Sequence, residues 1–265
     1  MEEALLDCAL TAARAAADIH RRYLGRVAPE DWSEKGVADF VTHVDHEAEG
    51  AIVAEIRRRF PSHAILAEES AGAAAPPLSA EWLWIVDPLD GTTNFLHGYP
   101  AYAASVAVAR RGELVAAAVA GSATGEEWWA VRGGGAFHNG RPIRVSQLTD
   151  LRLALIGTGF PFKAIDLLPH YLRQFDAVLR RSAGIRRAGS AALDLCHLAT
   201  GYFDGFWELL LAPWDIAAGT LIVREAGGVV TALDGRPDVL DGHGAVLAGN
   251  PAIHRELGAV LAAAS

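Results

Sequence analysis

The chain has 265 residues, 51% of them hydrophobic, with a net charge of -9 and a mean hydropathy of +0.19. That length supports one large domain or two packed closely, while the acidity sets nucleic acid aside as the main ligand. Alanine runs supply much of the apolar content, no apolar run reaches the roughly 18–20 residues of a membrane span, and the acidic Met1-Glu2-Glu3 start differs from the basic start of a secretory signal, so a cytoplasmic protein off the membrane is expected.

Apolar residues at helical spacing predict a helix over 4–24, with Gly25 as its C-cap. A second helix is expected over 46–60, stopping before Pro61. Residues 64–67 read as a short buried strand running into Glu68-Glu69, and 71–77 as a surface loop. Another buried strand is expected over 82–86. Alternation then predicts strands over 105–110, 114–120, 128–132 and 135–138, with hairpin turns at Arg111-Gly112 and Asn139-Gly140. The second half reads as strands over 153–156, 202–207, 229–232 and 245–248 between helices over 166–181, 191–200, 216–226 and 251–264. The whole is a layered α+β fold of two abutting halves, about 1–150 and 151–265, with helices covering sheet faces.

The run Trp84-Ile85-Val86-Asp87-Pro88-Leu89-Asp90-Gly91-Thr92-Thr93-Asn94-Phe95 carries the chemistry. It places two carboxylates at the end of an apolar strand, followed by a glycine and two hydroxyls. Carboxylates gather hard divalent cations, and a Gly-Thr-Thr turn offers N–H groups and hydroxyls to an anion. A phosphate held by magnesium satisfies both halves, whereas the bland alternative is an Asx turn, since Asp-Pro and Asp-Gly are ordinary turn dipeptides. Asp87 and Asp90 are three apart, so a turn stiffened by Pro88 is needed to bring both to one centre. The Leu89 carbonyl would then lie between them as a further oxygen ligand.

Pro88 and Leu89 break the alternate-ligand rhythm of an EF-hand. Phosphatases with a covalent aspartyl-phosphate carry aspartates separated by one residue, and here the separation is two, which favours a metal-activated water. Parallel strands would deliver Glu68 and Glu69 to the edge that holds Asp87; a solvated acidic pair is the bland alternative from composition. Asp215 precedes Ile216-Ala217-Ala218-Gly219 as a helix N-cap, a position that also suits a metal ligand.

His43 and His46 lack an HExxH or Cys/His companion, which argues against zinc. His97 is a candidate for the pocket rim. Trp128-Trp129 reads as sheet core, Gly133-Gly134-Gly135 as a hairpin turn, and Cys8 and Cys196 as buried free thiols.

The run from Trp84 to Phe95 resembles the first signature of the inositol monophosphatase family, and Pro213-Trp214-Asp215-Ile216-Ala217-Ala218-Gly219 through Glu225-Ala226-Gly227-Gly228 resembles the second. Ala67-Glu68-Glu69-Ser70, Thr158-Gly159-Phe160-Pro161-Phe162 and Arg187-Ala188-Gly189-Ser190-Ala191-Ala192-Leu193-Asp194 are similar to further segments, the last two to bacterial members in particular. The resemblance implies an αβαβα sandwich and hydrolysis of a small phosphate monoester, myo-inositol 1-phosphate first among them. It implies two or three Mg2+ ions held by Glu68, Asp87, Asp90, Asp215 and the Leu89 carbonyl.

By the same resemblance Gly91 and Thr92 meet the phosphate, and the Thr92 hydroxyl orients the attacking water with Asp45 and Thr42 behind it. Gly189, Ser190 and Ala191 line the substrate pocket, and Glu208 receives cyclitol hydroxyls. Lys35 is the mobile-loop lysine, in a loop one residue shorter at Gly36-Val37-Ala38 than in common members. A homodimer and lithium sensitivity are family traits. Other metabolite phosphatases of the family and a protein-binding role in transcription are the alternatives.

Overall fold

The structure is a computed structural model that describes residues 2–36, 39–72, 75–240 and 244–264. Helix α1 (Glu2–Tyr23) opens the chain, followed by a hairpin of β1 (Ser33–Gly36) and β2 (Asp39–Val41) and by α2 (His43–Arg59). Strands β3 (Ala64–Ala67) and β4 (Leu83–Asp90) lead to the short helix α3 (Thr92–Leu96). Strands β5 (Ala103–Arg110), β6 (Glu113–Gly121), β7 (Glu126–Val131), β8 (Gly135–His138) and β9 (Arg141–Ile143) then meander antiparallel.

The second half comprises β10 (Leu155–Thr158), α4 (Leu168–Leu179), β11 (Gly184–Arg186), α5 (Ala191–Thr200), β12 (Gly205–Glu208), α6 (Pro213–Glu225), β13 (Val229–Ala232), β14 (Val246–Gly249) and α7 (Pro251–Ala263). Two large sheets result: seven strands in the order β3-β4-β5-β6-β7-β8-β9, and five in the order β11-β10-β12-β14-β13.

Three apolar cores hold five layers together. The first joins the alanine-rich face of α1 (Ala9, Ala12, Ala13, Ala16) and Ile52 and Ile56 of α2 to one face of the seven-stranded sheet. The second fills the space between the sheets with α5 and α6, and the third packs α4 and α7 on the far face of the five-stranded sheet. The order is therefore αβαβα. Strand β4 explains why its sequence reads as a continuous apolar run rather than an alternating one. Trp84 and Val86 serve the first core while Leu83 and Ile85 serve the second, so both faces are buried. Between the sheets α5 and α6 approach closely because residue 219 is glycine: a Cβ there would stand 2.6 Å from Leu195 Cβ.

Several boundaries differ from the sequence reading, each for a local reason. Strand β4 does not end at Val86 in a turn but continues to Asp90, absorbing one extra residue as a bulge, with Asp87 opposite Ser105 and Asp90 opposite Ala103. Helix α2 starts at His43, three residues early, because Thr42 and Asp45 form a capping box. Helix α6 starts at Pro213, placing Asp215 at its third position rather than at the N-cap, which is Ala212. Strands β1, β2, β9 and β11 and helix α3 are too short to show periodicity, and the sequence does not announce them. The β5–β6 and β8–β9 turns fall where expected, with Arg111-Gly112 and Asn139-Gly140 all at positive φ.

Cys8 and Cys196 are free and buried, Trp128 is in the core, and Gly133-Gly134-Gly135 joins β7 to β8. Among the described residues no helix is long and apolar enough to cross a membrane.

Candidate active site

The bulge does what a plain strand cannot. In an extended strand, residues three apart face opposite sides; the extra residue in β4 turns Asp87 and Asp90 toward one centre. An Asp87 Oδ1 contact with the Leu89 N–H (3.0 Å) holds the bulge. Strand β3 pairs with β4 in parallel, and the Glu68 N–H donates to the Val86 carbonyl (3.1 Å), so Glu68 leaves the same sheet edge as Asp87. Asp215 comes from the other half, at the first turn of α6. Its Oδ2 accepts from the Ala212 N–H at 2.6 Å, a bond that fixes the carboxylate while capping the helix. One ligand oxygen from each of Asp87, Asp90 and Asp215 lies within 4.8 Å of the others.

Asp90 ties the halves together. Its Oδ2 accepts from the Ser190 hydroxyl at 2.5 Å and from the Ala192 N–H at 2.8 Å, both at the start of α5. Asn94 does the same from α3, donating to the carbonyls of Ala101 (2.6 Å), Ala188 (2.9 Å) and Gly189 (3.2 Å). Gly91 between them has φ 87°, and a Cβ would sit 2.7 Å from the Ala101 carbonyl oxygen, so both conformation and space demand glycine.

Burial and mutual repulsion disfavour the ionised form of these carboxyls. Burial first, then the charges of Glu68, Asp90 and Asp215, push the Asp87 carboxyl well above the usual carboxylate range. Asp90 rises to about 6, chiefly through burial, although its bonds to Ser190 and Ala192 oppose the rise. Asp215 rises to about 8 through burial and the charges of Asp90 and Glu68. Three acids held this close, with the charge of Glu68 acting on each, are accounted for by hard cations of small radius, which accept an all-oxygen ligand set. The residues present fit magnesium, with Glu68, Asp87, Asp90, Asp215 and the Leu89 carbonyl as the donors available.

Thr92 stands beside the cluster. Its hydroxyl has Asp45 Oδ1 at 3.1 Å and the Leu89 carbonyl at 3.0 Å as acceptors. Asp45 is fully buried, and its Oδ2 accepts from the Thr42 N–H (2.9 Å) and hydroxyl (2.8 Å). Burial raises the Asp45 carboxyl, while the bonds from Thr42 and Thr92 pull the other way.

A cleft of about 430 Å³ lies over these groups, between the edge of the seven-stranded sheet and the start of α5 and α6. Glu68, Asp87, Leu89, Asp90, Gly91, Thr92, Gly189, Ala191, Glu208 and Asp215 all line it. Ser190 does not: it is 1% exposed, and its hydroxyl is spent on Asp90 and on capping α5. Burial, then the charges of Asp194 and Asp215, push the Glu208 carboxyl well up.

His97 is exposed and packs on Trp32 (ring centroids 5.4 Å apart) rather than lining the cleft. The Lys35 side chain and residues Val37 and Ala38 lie outside the described residues. The sequence reading missed Lys163 and Arg187 as cleft-wall cations and Asn94 as the clamp between halves. Both cations had a local signal, since Arg187 opens the segment that continues through Gly189 and Lys163 directly follows the segment ending at Phe162.

A layered αβαβα fold carrying an oxygen-only acidic cluster at the junction of a strand bulge and a helix start defines the class of metal-dependent phosphatases. The chain belongs to the inositol monophosphatase family, whose sequence model matches residues 1–265. It is 46% identical over 248 residues to a Pseudomonas aeruginosa protein named Nus factor SuhB, covering 93% of this chain and 91% of the relative. It is 44% identical over 254 residues to an inositol-1-monophosphatase of Mesorhizobium japonicum, covering 96% and 94%. Among solved structures, the extragenic suppressor protein suhB from Bartonella henselae superposes with a TM-score of 0.90 at 40% identity, covering 97% of this chain and 98% of that one. The inositol monophosphatase from Anabaena gives 0.87 at 37% identity, covering 98% and 96%.

Proposed function

We propose that the protein hydrolyses a small phosphate monoester in a magnesium-dependent reaction, with myo-inositol 1-phosphate as the preferred substrate. The observation that carries this reading is the convergence of Asp87, Asp90 and Asp215 within 4.8 Å, at the floor of a cleft that also presents Gly91 and Thr92. Two or three magnesium ions would neutralise the ester dianion and lower the pKa of an attacking water.

The protein's own part is positioning and electrostatics. Asp45 accepts a hydrogen bond from the Thr92 hydroxyl, which turns a lone pair of the Thr92 oxygen toward the site as an acceptor for the nucleophilic water. The N–H groups of Gly91 and Thr92 receive phosphate oxygens. The Ser190–Asp90 bond holds one carboxylate oriented, and the Ala212–Asp215 bond another. At the far end Glu208 accepts hydroxyls of the leaving alcohol, beside the wall that Gly189 and Ala191 form. An acidic residue there disfavours a second phosphate, which argues against fructose 1,6-bisphosphate; histidinol phosphate and nucleotide 3′-phosphates are the remaining rivals.

A second reading is a protein-binding role in transcription, favoured by the relatives named Nus factor SuhB. We further propose a cytoplasmic homodimer.

A phosphate-release panel over these esters with magnesium, with and without lithium, tests the reading. Turnover of inositol 1-phosphate above the others, inhibited by lithium, supports it, and no turnover of any ester leaves the binding role. A catalytically dead Asp87→Asn variant that still rescues a deletion phenotype would favour the transcription role.

A further inference from the structure

Strand β10 ends at Thr158, and the chain passes through Gly159 before the aromatic pair Phe160 and Phe162. Gly159 is not among the glycines with positive φ, so its backbone would admit other residues. The space would not. A Cβ built on Gly159 falls inside the Glu208 carboxyl group, overlapping Oε1, Cδ and Oε2. All three obstructing atoms belong to the end of one flexible side chain, and none to backbone.

The strand register explains the overlap. β10 and β12 pair in parallel with Thr158 opposite Trp207, so Gly159, one residue past the end of β10, lies beside Glu208, the last residue of β12, whose side chain lines the cleft. The opposite charge acting on Glu208 is Arg187, whose guanidinium lies over the rings of Phe160 (5.5 Å) and Phe162 (5.0 Å). The segment beginning at Gly159 thus forms one wall of the cleft and leaves a gap that the Glu208 carboxyl fills.

We infer that Gly159 is a specificity-determining positioning residue: its missing side chain seats the Glu208 carboxyl in the cleft, where it receives the hydroxyls of a polyol phosphate. This rests on the polyol-phosphate reading above. With alanine at this position the Glu208 side chain rotates away while the β10–β12 pairing stays. The phosphate end, set by Asp87, Asp90, Asp215 and Thr92, keeps its arrangement, and the alcohol end loses its acceptor.

The test compares wild type, Gly159→Ala, Glu208→Ala and the double variant, all with magnesium. Kinetics are measured on myo-inositol 1-phosphate and on p-nitrophenyl phosphate, whose leaving group has no further hydroxyl. Gly159→Ala is expected to lower the ratio of kcat/KM for the polyol ester over the aryl ester by roughly tenfold, the order of one hydrogen bond to a charged group, mainly through KM. In the Glu208→Ala background the same substitution should leave that ratio where Glu208→Ala alone puts it. A ratio unmoved by Gly159→Ala, or an equal loss in both backgrounds, overturns the inference.

Thermal midpoints of the four proteins give a reading independent of substrate: the two substitutions must be non-additive, and additive midpoints overturn the inference. Hydrolysis of the aryl ester with none of the polyol ester by wild type refutes the substrate reading instead.

Discussion

Ser190→Ala separates two roles for one hydroxyl. The resemblance places Ser190 among substrate contacts, whereas the structure spends its hydroxyl on Asp90 Oδ2 at 2.5 Å and on the Leu193 N–H at 3.4 Å, with the residue 1% exposed. Loss of a helix N-cap costs about 1 kcal/mol, and loss of a buried hydrogen bond to a charged group about 1.5–3 kcal/mol. The long capping distance puts its contribution at the low end, so the combined destabilisation is about 2–4 kcal/mol. For a chain of this size each kcal/mol moves the thermal midpoint by about 2–4 °C, which gives a fall of roughly 5–15 °C in metal-free protein.

The hydroxyl also holds Asp90 in its ionised form, so its removal makes magnesium compete with a more tightly bound proton. The magnesium concentration for half-maximal phosphate release should therefore rise, most at low pH, with KM for substrate at saturating magnesium changed little. Calorimetric midpoints and a magnesium titration of phosphate release read both. An unchanged midpoint and magnesium requirement, with KM alone raised, would refute the structural role and restore the substrate contact.

Other consequences follow from the same geometry. The carboxyls of Asp87, Asp90 and Asp215 are raised in the folded state, so between about pH 4 and 8 the folded protein holds more protons than the unfolded chain, and metal-free stability falls as pH rises through that window. Midpoints measured in chelator across pH 5–8 should drop, and Asp215→Asn should flatten the drop. His20, held by burial at about 3, acts in the opposite sense, removing stability as pH falls below about 6.5. Thr92→Val removes the hydroxyl between Asp45 and the site; kcat should fall about a hundredfold, the scale of a misplaced reactant, and a loss confined to KM would count against the Asp45–Thr92 pair. Cys8 and Cys196 are fully buried, and burial raises both thiols, so neither should react with an aromatic disulfide reagent until the protein unfolds.

Much of the architecture was legible because burial on two faces leaves a plain mark. The apolar runs of β3 and β4 and the alternating turns from Arg111 to Gly140 locate the seven-stranded sheet, and the parallel β3–β4 pairing that brings Glu68 to Asp87 follows from that reading. What escaped depends on partners distant in sequence. A Pro-Leu pair between two aspartates reads as a turn, and only the pairing of β4 with β5 makes it a bulge. Asp215 reads as an N-cap because the local signals of the N-cap and third positions overlap; the Ala212 N–H decides between them. Ser190 looks like a pocket residue until Asp90, 100 positions earlier, takes its hydroxyl.

Asp87, Asp90 and Asp215 are proposed to form one magnesium-dependent catalytic centre. Its most direct test is phosphate release from myo-inositol 1-phosphate across a magnesium titration, with wild type and Asp215→Asn side by side and circular dichroism as the check on folding. Wild type should show saturable magnesium-dependent release, and a folded Asp215→Asn only background release at every magnesium concentration. Equal release by the two proteins, or release by wild type that persists in chelator, would contradict it.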